Sequence, residues 1–480
     1  MNRQLLLVAF SACALAACRH TPTPAHAPPN ILLIVIDTLR ADRLGGSNHA
    51  QRLTPFLDSV AEHATVFHTA YAQSSWTNPS VASLITSRYP SQHGVTTPQA
   101  VLSPSELTLA EALRQHGFAT AGISANGLIG KQAGFDQGYD HFLAMWSEPT
   151  VAPPRAAAVT NEALRWLDAR EQAAARPDTS PAKERQPVFL YLHYMEAHFP
   201  YAPHPDALAK VFAGRQAPDV DDVNDEIPEA FLWGARADTV AEISEIYDAA
   251  VLSLDADLRT LFAELVRRHF LDNAVVVITA DHGEEFFDHG GLGHGHALFN
   301  ELIRVPLVIA SPQQTAHLDI ETPVALVDVA PTLLDAIGAD KPPSFEGRSL
   351  QSLVGHGDQG WASAALRRWG SGSRDTRSVY SELRPWNDAT RNKAHERAVV
   401  DGTRKLIAGG EQRAFFDLAA DPSEQHPAAL DDQQRTALGA LLNTFAQQVT
   451  GRPTPAATQV LDDATRERMR GLGYDTHAEP

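Results

Sequence analysis

NILLIVID fills residues 30–37 and AVVVITAD fills residues 274–281, and each of these aliphatic runs ends in an aspartate. Such runs are typical of parallel strands that are buried on both faces. Helical patterns lie between them, including an amphipathic series over residues 247–265 and LAEALRQ behind a capping box of Thr108 and Glu111. The alternation predicts an α/β fold with a large, mostly parallel sheet between helices. Functional sites in such sheets gather at the carboxyl ends of strands, where Asp37 and Asp281 lie.

A second stretch, SSWTNPSVASLITSRYPSQHGV at residues 74–95, contains a candidate nucleophile. Asn78 is a residue type favoured at a helix N-cap, and Pro79 is favoured at the first helical position. We therefore expect Thr77 to stand just ahead of a helix N-terminus, where free N–H groups attract an anion. The alternative interpretation is an ordinary capped helix with a surface threonine.

Composition excludes several classes of function. The net charge of −19 over 480 residues argues against nucleic acid as a partner. Both cysteines, Cys13 and Cys18, lie in the first 18 residues. The folded part therefore has no disulfide, no cysteine-ligated zinc and no cysteine nucleophile.

The N-terminus has the pattern of an export signal. Residues 1–17 combine a basic start with a short apolar stretch, and LAAC at residues 15–18 resembles the lipoprotein box of bacteria. We predict a signal peptide at 1–17, a lipid on Cys18 that attaches the chain to a membrane, and a Pro-rich tether at 18–29. The expected location is the bacterial cell envelope, at the outer membrane or in the periplasm. A plain secretory signal is the alternative.

The remaining chain is predicted to form two parts. Residues 30–355 contain the strands and helices of a catalytic α/β domain. A polar, Gly- and Ser-rich stretch follows, and residues 376–480 read as short strands and turns of a smaller C-terminal α+β subdomain.

Polar residues at the strand ends indicate a cation site. Asp37, Asp281 and His282, together with the Thr77 hydroxyl, suit a divalent metal, Zn²⁺ or Mn²⁺ in preference to Ca²⁺. Such a cation lowers the pKa of a hydroxyl that it touches, which an unassisted threonine needs to act as a nucleophile. Three further histidines, His198, His294 and His296, suit transfer of a phosphoryl or sulfuryl group, by binding its oxygens, ligating a second metal or protonating the leaving oxygen. Each of them alone also fits a hydrogen-bonded loop histidine.

Several segments resemble, in family order, the successive blocks of the sulfatase family, which belongs to the alkaline-phosphatase superfamily. They span roughly residues 30 to 430 and read NILLIVIDTLRADRLG, WTNPSVASLITSRYPSQHGV, LHYMEAHFPY, VVVITADHGEEFFDHGGLGHGHALFNELIRVPLVI and FFDLAADPSEQ. The resemblance implies a large sheet domain with a smaller C-terminal sheet domain, a divalent cation and a covalent intermediate.

The resemblance also implies roles for individual residues. Asp37, Asp281 and His282 match metal ligands, and Thr77 matches the nucleophile. His198 matches a histidine that contacts the substrate, and His294 stands where the family usually has a lysine that contacts the transferred group. We assign catalysis to Thr77, His198 and His294, metal binding to Asp37, Thr77, Asp281 and His282, and substrate binding to Asn78, Asn126 and His296.

Three departures from the family pattern bear on the substrate. Sulfatases use C/S-x-P-x-R, whose first residue is oxidised to formylglycine, whereas this chain has TNPSV at residues 77–81. The family's GKWHLG block is replaced by ISANG at residues 123–127. Thr38 stands where many sulfatases have a second aspartate, and Asp42 is a possible ligand of a second metal.

These observations predict a metal-dependent hydrolase that acts through Thr77 on phosphate monoesters or diesters or related anionic esters. The expected partner is an anionic ester of a small molecule, a lipid headgroup or a glycan. Three alternatives stay open: a sulfuric ester hydrolase with an atypical nucleophile, a transferase of phospho-headgroups, and a noncatalytic lipoprotein that binds an anionic glycan.

Overall fold

The computed structural model describes residues 27–45, 52–145, 155–175, 186–233, 237–312, 314–355, 377–386 and 393–450, with positions 454, 456–461, 463, 466 and 469. The predicted signal peptide, Cys18 and most of the tether therefore lie outside the described residues. Most of the stretch between the two predicted parts, residues 356–376, also lies outside them. No helix in the described ranges is both long enough and apolar enough to cross a membrane.

The strands of the described ranges fall into four sheets. Their bounds are β1 Asn30–Ile36, β2 Thr65–Tyr71, β3 Ala100–Val101, β4 Ala119–Ser124, β5 His141–Ala144, β6 Val188–Tyr194, β7 Ala274–Thr279, β8 Glu285–Phe286, β9 Leu292–Gly293, β10 Arg304–Ala310, β11 Leu318–Ile320, β12 Val324–Ala325, β13 Ser378–Leu383, β14 Glu396–Asp401, β15 Arg404–Gly409, β16 Gln412–Asp417 and β17 Ala457–Thr458.

The α-helices connect these strands and cover the main sheet. Their bounds are α1 Pro55–Ala61, α2 Thr77–Thr86, α3 Pro90–His93, α4 Leu109–Gln115, α5 Ala156–Ala174, α6 Pro205–Phe212, α7 Val220–Trp233, α8 Ala237–Arg267, α9 Asn300–Ile303, α10 Val329–Ala336 and α11 Asp432–Thr450.

The central sheet has the predicted character. Within the described ranges it contains nine strands in the order β11-β2-β10-β7-β1-β6-β4-β5, with β12 also paired to β2. Strands β7, β1, β6, β4 and β5 run parallel, and β10 runs antiparallel to both β7 and β2. Every side chain from Ile31 to Ile36 is fully buried, so both faces of the sheet centre are covered. The aliphatic composition of β1 and β7 follows from this burial.

Two of the predicted helices form as the sequence indicates. Helix α4 begins with the capping box, in which Thr108 Oγ1 accepts from the Glu111 N–H and Glu111 Oε2 accepts from the Thr108 N–H. Gly117 follows its end at φ +85°. Helix α8 buries the apolar series that the spacing predicted, from Tyr247 to Leu265.

The C-terminal part forms an antiparallel four-stranded sheet in the order β13-β14-β15-β16, as the α+β prediction required. Helix α11 packs on it through Leu438, Leu442 and Phe445, which share a core cluster with Val399 and Leu406. The other face of this sheet joins the main core, and β17 returns to pair with β3 of the large part. The smaller sheet is therefore packed directly against the large one.

Candidate active site

Two aspartates meet at the carboxyl edge of the central sheet. Strands β1 and β7 are parallel neighbours in a register that pairs Val35 with Thr279, and an aspartate follows two residues after each of these positions. Asp37 and Asp281 are both fully buried. The expectation that the strand ends bring these two carboxyl groups together is confirmed.

The neighbouring His282 directs a lone pair at both carboxyl groups. Its Nδ1 lies 2.9 Å from the Gly283 carbonyl oxygen, to which it donates, and burial lowers the pKa of this imidazole well below its ordinary value. The ring is therefore neutral, and its Nε2 carries no proton. This Nε2 lies 3.6 Å from Asp37 Oδ1 and 3.5 Å from Asp281 Oδ2.

These converging atoms fit a bound cation. Asp37 Oδ1 and Asp281 Oδ2 are buried and have no hydrogen-bond partner among the residues that the structure describes. Two carboxylate oxygens and an imidazole lone pair that face one another repel without a positive charge between them, and this donor set suits Zn²⁺ or Mn²⁺. Burial and the adjacent Asp37 raise the pKa of Asp281 well above its ordinary value, so a cation bound here would displace a proton.

A further histidine, His193, also lies near the two aspartates. Ligand atoms of Asp37, His193 and Asp281 lie within 4.8 Å of one another. The His193 Nε2, however, is hydrogen-bonded to Asp37 Oδ2 at 3.1 Å. It makes no hydrogen bond to Asp37 Oδ1, the oxygen that has no partner in the described residues. We therefore take His282, which faces one oxygen of each carboxyl group, as the histidine ligand.

Asp42 is not placed to bind a second metal, and this sequence-based suggestion is wrong. Its Oδ1 accepts from Arg40 Nε at 3.0 Å, and its Oδ2 accepts from Arg40 at 2.9 Å and from Arg43 at 2.6 Å. Two guanidinium groups therefore occupy both carboxylate oxygens.

Thr77 is the first residue of α2, and its Oγ1 lies 3.2 Å from His282 Nε2. The helix begins two residues earlier than the sequence indicated: Trp76 is the N-cap, and its carbonyl accepts from the Ser80 N–H. Asn78 and Pro79 therefore lie inside the first turn. Pro79 costs nothing there, because the first N–H groups of a helix have no partner within the helix.

Because Asn78 does not cap the helix, its amide stays available. The side chain is fully buried, and neither its Oδ1 nor its Nδ2 has a hydrogen-bond partner in the described ranges. A buried amide without partners next to a candidate nucleophile supports the predicted role in substrate binding.

Two of the three loop histidines pack close to this centre. The ring centroid of His294 lies 4.5 Å from that of His282 and 5.0 Å from that of His198. His294 Nδ1 is bonded to Glu284 Oε1 at 2.9 Å. Burial lowers the pKa of His294 to about 4 and raises that of Glu284 to about 8, so the pair is neutral at pH 7.

The other two predicted substrate residues contact protein groups. Asn126 Nδ2 donates to Asp37 Oδ2 at 2.5 Å, and its Oδ1 accepts from the Leu128 N–H. His296 Nε2 is bonded to Glu285 Oε2 at 2.7 Å. Asn126 therefore holds a candidate metal ligand, and His296 braces the loop that carries His294.

Comparison with known proteins agrees with this geometry. The family model described as Sulfatase matches residues 29–339, which is more than half of the chain. A second model, described as N-sulphoglucosamine sulphohydrolase, C-terminal, matches residues 288–450. The chain belongs to the sulfatase family.

Relatives within and around this family differ in their named activities. An N-acetylglucosamine-6-O-sulfatase of Bacteroides thetaiotaomicron is 22% identical over 91% of this chain and 94% of that protein. The multifunctional alkaline phosphatase superfamily protein PehA of Trinickia caryophylli is 25% identical over 87% of this chain and 94% of that protein.

Solved structures show the same fold. A protein solved in complex with its substrate D-glucosamine-2-N,6-O-disulfate matches with a TM-score of 0.68 and 20% identity, over 88% of this chain and 98% of the other. A phosphonate monoester hydrolase from Silicibacter pomeroyi matches with a TM-score of 0.63 and 20% identity, over 90% of this chain and 99% of the other.

For a member of the sulfatase family, the site contains three contributors that sequence reasoning missed. His193 bonds to Asp37, Glu284 bonds to His294, and Trp386, which follows β13 of the C-terminal sheet, donates to the Gly295 carbonyl oxygen. Glu284 directly follows the DHG motif, so its position gave a usable signal. His193 and Trp386 are single residues that only the tertiary structure brings to the site.

Proposed function

We propose that this chain is a divalent-cation-dependent ester hydrolase that acts through Thr77, with phosphorus esters as its preferred substrates. The observation that carries the proposal is the 3.2 Å contact between Thr77 Oγ1 and His282 Nε2 at the first turn of α2. The hydroxyl lies where helix N–H groups attract an anion and where the acceptor atoms of Asp37, Asp281 and His282 converge.

The residues of the chain have distinct parts in this reaction. A divalent cation held by Asp37, Asp281 and His282 would supply Lewis-acid polarisation and a lower pKa for the Thr77 hydroxyl. The N-terminus of α2 and the Asn78 amide orient the anionic group. The Thr77 hydroxyl loses its proton to solvent, and its Oγ forms a bond to phosphorus in line with the ester oxygen that departs.

The histidines are the proton donors for the departing oxygen. As the bond from phosphorus to this oxygen breaks, His294 or His198 donates a proton to it. The negative charge of a bound ester favours the protonated form of both rings, which burial alone disfavours. Water then attacks phosphorus and returns a proton to the histidine, and the bond from phosphorus to Thr77 Oγ breaks. This step releases phosphate from a monoester, or a phosphate monoester from a diester, and restores the Thr77 side chain.

The identity of the nucleophile favours phosphorus over sulfur. A threonine side chain cannot become formylglycine, which the family pattern C/S-x-P-x-R supplies. Sulfate hydrolysis is the second candidate, because the matching family model and the N-acetylglucosamine-6-O-sulfatase relative are both sulfatases. The relative solved with a sulfated glucosamine extends either candidate to esters of anionic glycans.

The test compares rates on aryl sulfate, aryl phosphate, bis-aryl phosphate and an aryl phosphonate monoester. Metal-stripped protein is assayed with Zn²⁺, Mn²⁺ or Ca²⁺ restored, for wild type, Thr77→Ala and Thr77→Ser. The exposed Thr436 on α11 supplies the matched control, Thr436→Ala. We expect phosphorus esters to turn over with Zn²⁺ or Mn²⁺, a loss of at least ~10³-fold in Thr77→Ala, and partial activity in Thr77→Ser.

Other outcomes identify the alternatives. Faster turnover of aryl sulfate than of any phosphorus ester makes the protein a sulfatase with an unusual nucleophile. A Thr77→Ala variant with the wild-type rate excludes covalent catalysis by Thr77. If no ester turns over and no cation stabilises the protein against heat, a noncatalytic binding protein is the better interpretation.

We also propose that the mature protein is attached to the cell envelope through a lipid on Cys18. The LAAC motif and the Pro-rich tether support this. The test is incorporation of labelled palmitate in a bacterial host, which Cys18→Ser should abolish while Cys13→Ser leaves it unchanged. Labelling that persists in Cys18→Ser would contradict the proposal.

A further inference from the structure

The two oxygens of Asp37 have different surroundings. Oδ2 accepts two hydrogen bonds, from Asn126 Nδ2 at 2.5 Å and from His193 Nε2 at 3.1 Å. Oδ1 has no hydrogen-bond partner within the described part of the chain and faces His282 Nε2. Hydrogen bonds to Oδ2 therefore hold the carboxylate in place, and Oδ1 is available to bind a cation.

The His193 ring is itself fixed. The residue is the last but one of the buried strand β6, where it pairs with Val35 of β1 on one side and with Ser124 of β4 on the other. Its Nδ1 lies 3.0 Å from the hydroxyl of Tyr191, two residues earlier on the same face of the strand. With the tyrosine hydroxyl as donor to Nδ1, the ring N–H is on Nε2, which donates to Asp37 Oδ2.

We infer that His193 is a positioning residue for the cation site, and this inference rests on the proposed function. The chain from Tyr191 through His193 to Asp37 fixes the direction of Oδ1 toward Asp281 and His282. Both donors, an amide N–H and an imidazole N–H, bond to Oδ2 and leave Oδ1 without a donor, so that Oδ1 can bind a cation.

The competing role for His193 is direct ligation of the metal. Its ligand atom and those of Asp37 and Asp281 all lie within 4.8 Å of one another. Ligation requires an Nε2 without a proton, which would turn this nitrogen from donor to acceptor and end its bond to Asp37 Oδ2. The two roles therefore predict different numbers of nitrogen atoms on the metal.

The experiment uses Mn²⁺ as the probe and two amide variants of the full chain. His193→Gln places an N–H near the position of Nε2, whereas the amide of His193→Asn is one methylene shorter and does not reach Asp37. His317→Asn, at a half-exposed surface histidine, is the matched control. Mn²⁺ affinity is measured by the EPR signal of the free ion, nitrogen ligation by electron spin echo modulation, and folding by the melting temperature without metal.

We expect His193→Asn to bind Mn²⁺ about 10- to 100-fold more weakly, the range for loss of a group that orients a metal ligand. His193→Gln and His317→Asn should stay within a few-fold of wild type. The nitrogen modulation, which comes from His282, should be the same in wild type and His193→Gln. If His193→Asn does not fold, the modulation of His193→Gln alone decides between the two roles.

Two results would overturn the inference: an unchanged Mn²⁺ affinity in folded His193→Asn, or a nitrogen coupling lost in His193→Gln, which would show direct ligation. Because Mn²⁺ binding needs no substrate, the proposed function is judged separately. A wild-type protein that binds Mn²⁺ but hydrolyses no ester fails the proposed function and leaves the role of His193 intact.

Discussion

The indole of Trp386 stacks on that of Trp76, with ring centroids 4.5 Å apart and an angle of 17° between the rings. Trp76 is the N-cap residue directly before Thr77. Trp386 Nε1 also donates to the Gly295 carbonyl oxygen at 2.9 Å, next to His294. One residue of the C-terminal part therefore contacts both the nucleophile helix and the histidine loop.

Replacement of Trp386 should lower both the stability of the protein and its activity, because this side chain contacts two elements of the candidate site. Trp386→Ala removes a buried aromatic side chain, which costs about 3–5 kcal/mol of unfolding free energy, and we expect kcat to fall at least ~10-fold. Trp386→Phe keeps a ring for stacking but loses the N–H donor, so its losses should be smaller. Urea unfolding and turnover of the preferred ester measure the two effects. Trp166→Phe, at a half-buried tryptophan on α5, is the control and should change neither.

His294 should matter most for poor leaving groups. If it protonates the departing oxygen, His294→Ala lowers kcat ~10²- to 10⁴-fold for alkyl esters. Aryl esters with acidic phenols need little proton donation, so their loss should be small. A series of esters with leaving groups of different pKa measures this dependence for wild type, His294→Ala and His198→Ala. An equal loss for every leaving group would assign His294 to binding of the transferred group instead.

Acid should weaken the contact between the C-terminal sheet and helix α3, because Glu382 of β13 accepts from the N–H and the hydroxyl of Ser91. Burial by itself raises the pKa of this carboxyl, but the His395 ring 3.3 Å away and hydrogen bonds from the Ser91 N–H and Arg397 outweigh it and lower the pKa to about 2. Its contribution to stability, about 3 kcal/mol, is therefore present above the ordinary value of 4.5 and is lost as pH falls toward 2.

Glu382→Gln should accordingly lower the free energy of unfolding by about that amount at pH 6, with a difference from wild type that shrinks below pH 4. Urea titrations at a series of pH values measure this difference. Glu411→Gln, at an exposed residue between β15 and β16, should follow the wild-type profile. A constant difference between Glu382→Gln and wild type down to pH 2 would contradict the prediction.

The sequence predicted the strand ends well, because long buried strands leave a clear aliphatic pattern and their last residues share one edge of the sheet. Asp37, Asp281 and His282 were found in this way, and the helix after Thr77 was recognised from its composition. The helix start was misplaced by two residues, since Asn78 and Pro79 fit either an N-cap pair or the first turn of a helix.

The residues that hold the site together were harder to predict. His193 reaches Asp37 only because β6 pairs with β1 in the register that puts it beside Val35. Asn126 lies just after the end of the neighbouring strand β4, and Trp386 lies just after β13 of a different sheet. No local spacing marks such residues, because strand register and the contact between sheets are decided by packing over the whole chain.

Asp281 offers the sharpest test of the cation site, because it should oppose folding when no metal is bound. Burial and Asp37 raise its pKa well above 3.8, so the metal-free protein loses stability as pH rises from that value through the raised pKa. Asp281→Asn keeps an acceptor for the Thr38 and His282 N–H groups and removes the charge. We expect this variant without metal to be about 1–3 kcal/mol more stable than wild type at pH 8, with a smaller gain at pH 5.

Addition of Zn²⁺ or Mn²⁺ should raise the melting temperature of wild type and of Asp272→Asn, an exposed control, but not that of Asp281→Asn. A metal-dependent rise that survives in Asp281→Asn would place the cation elsewhere.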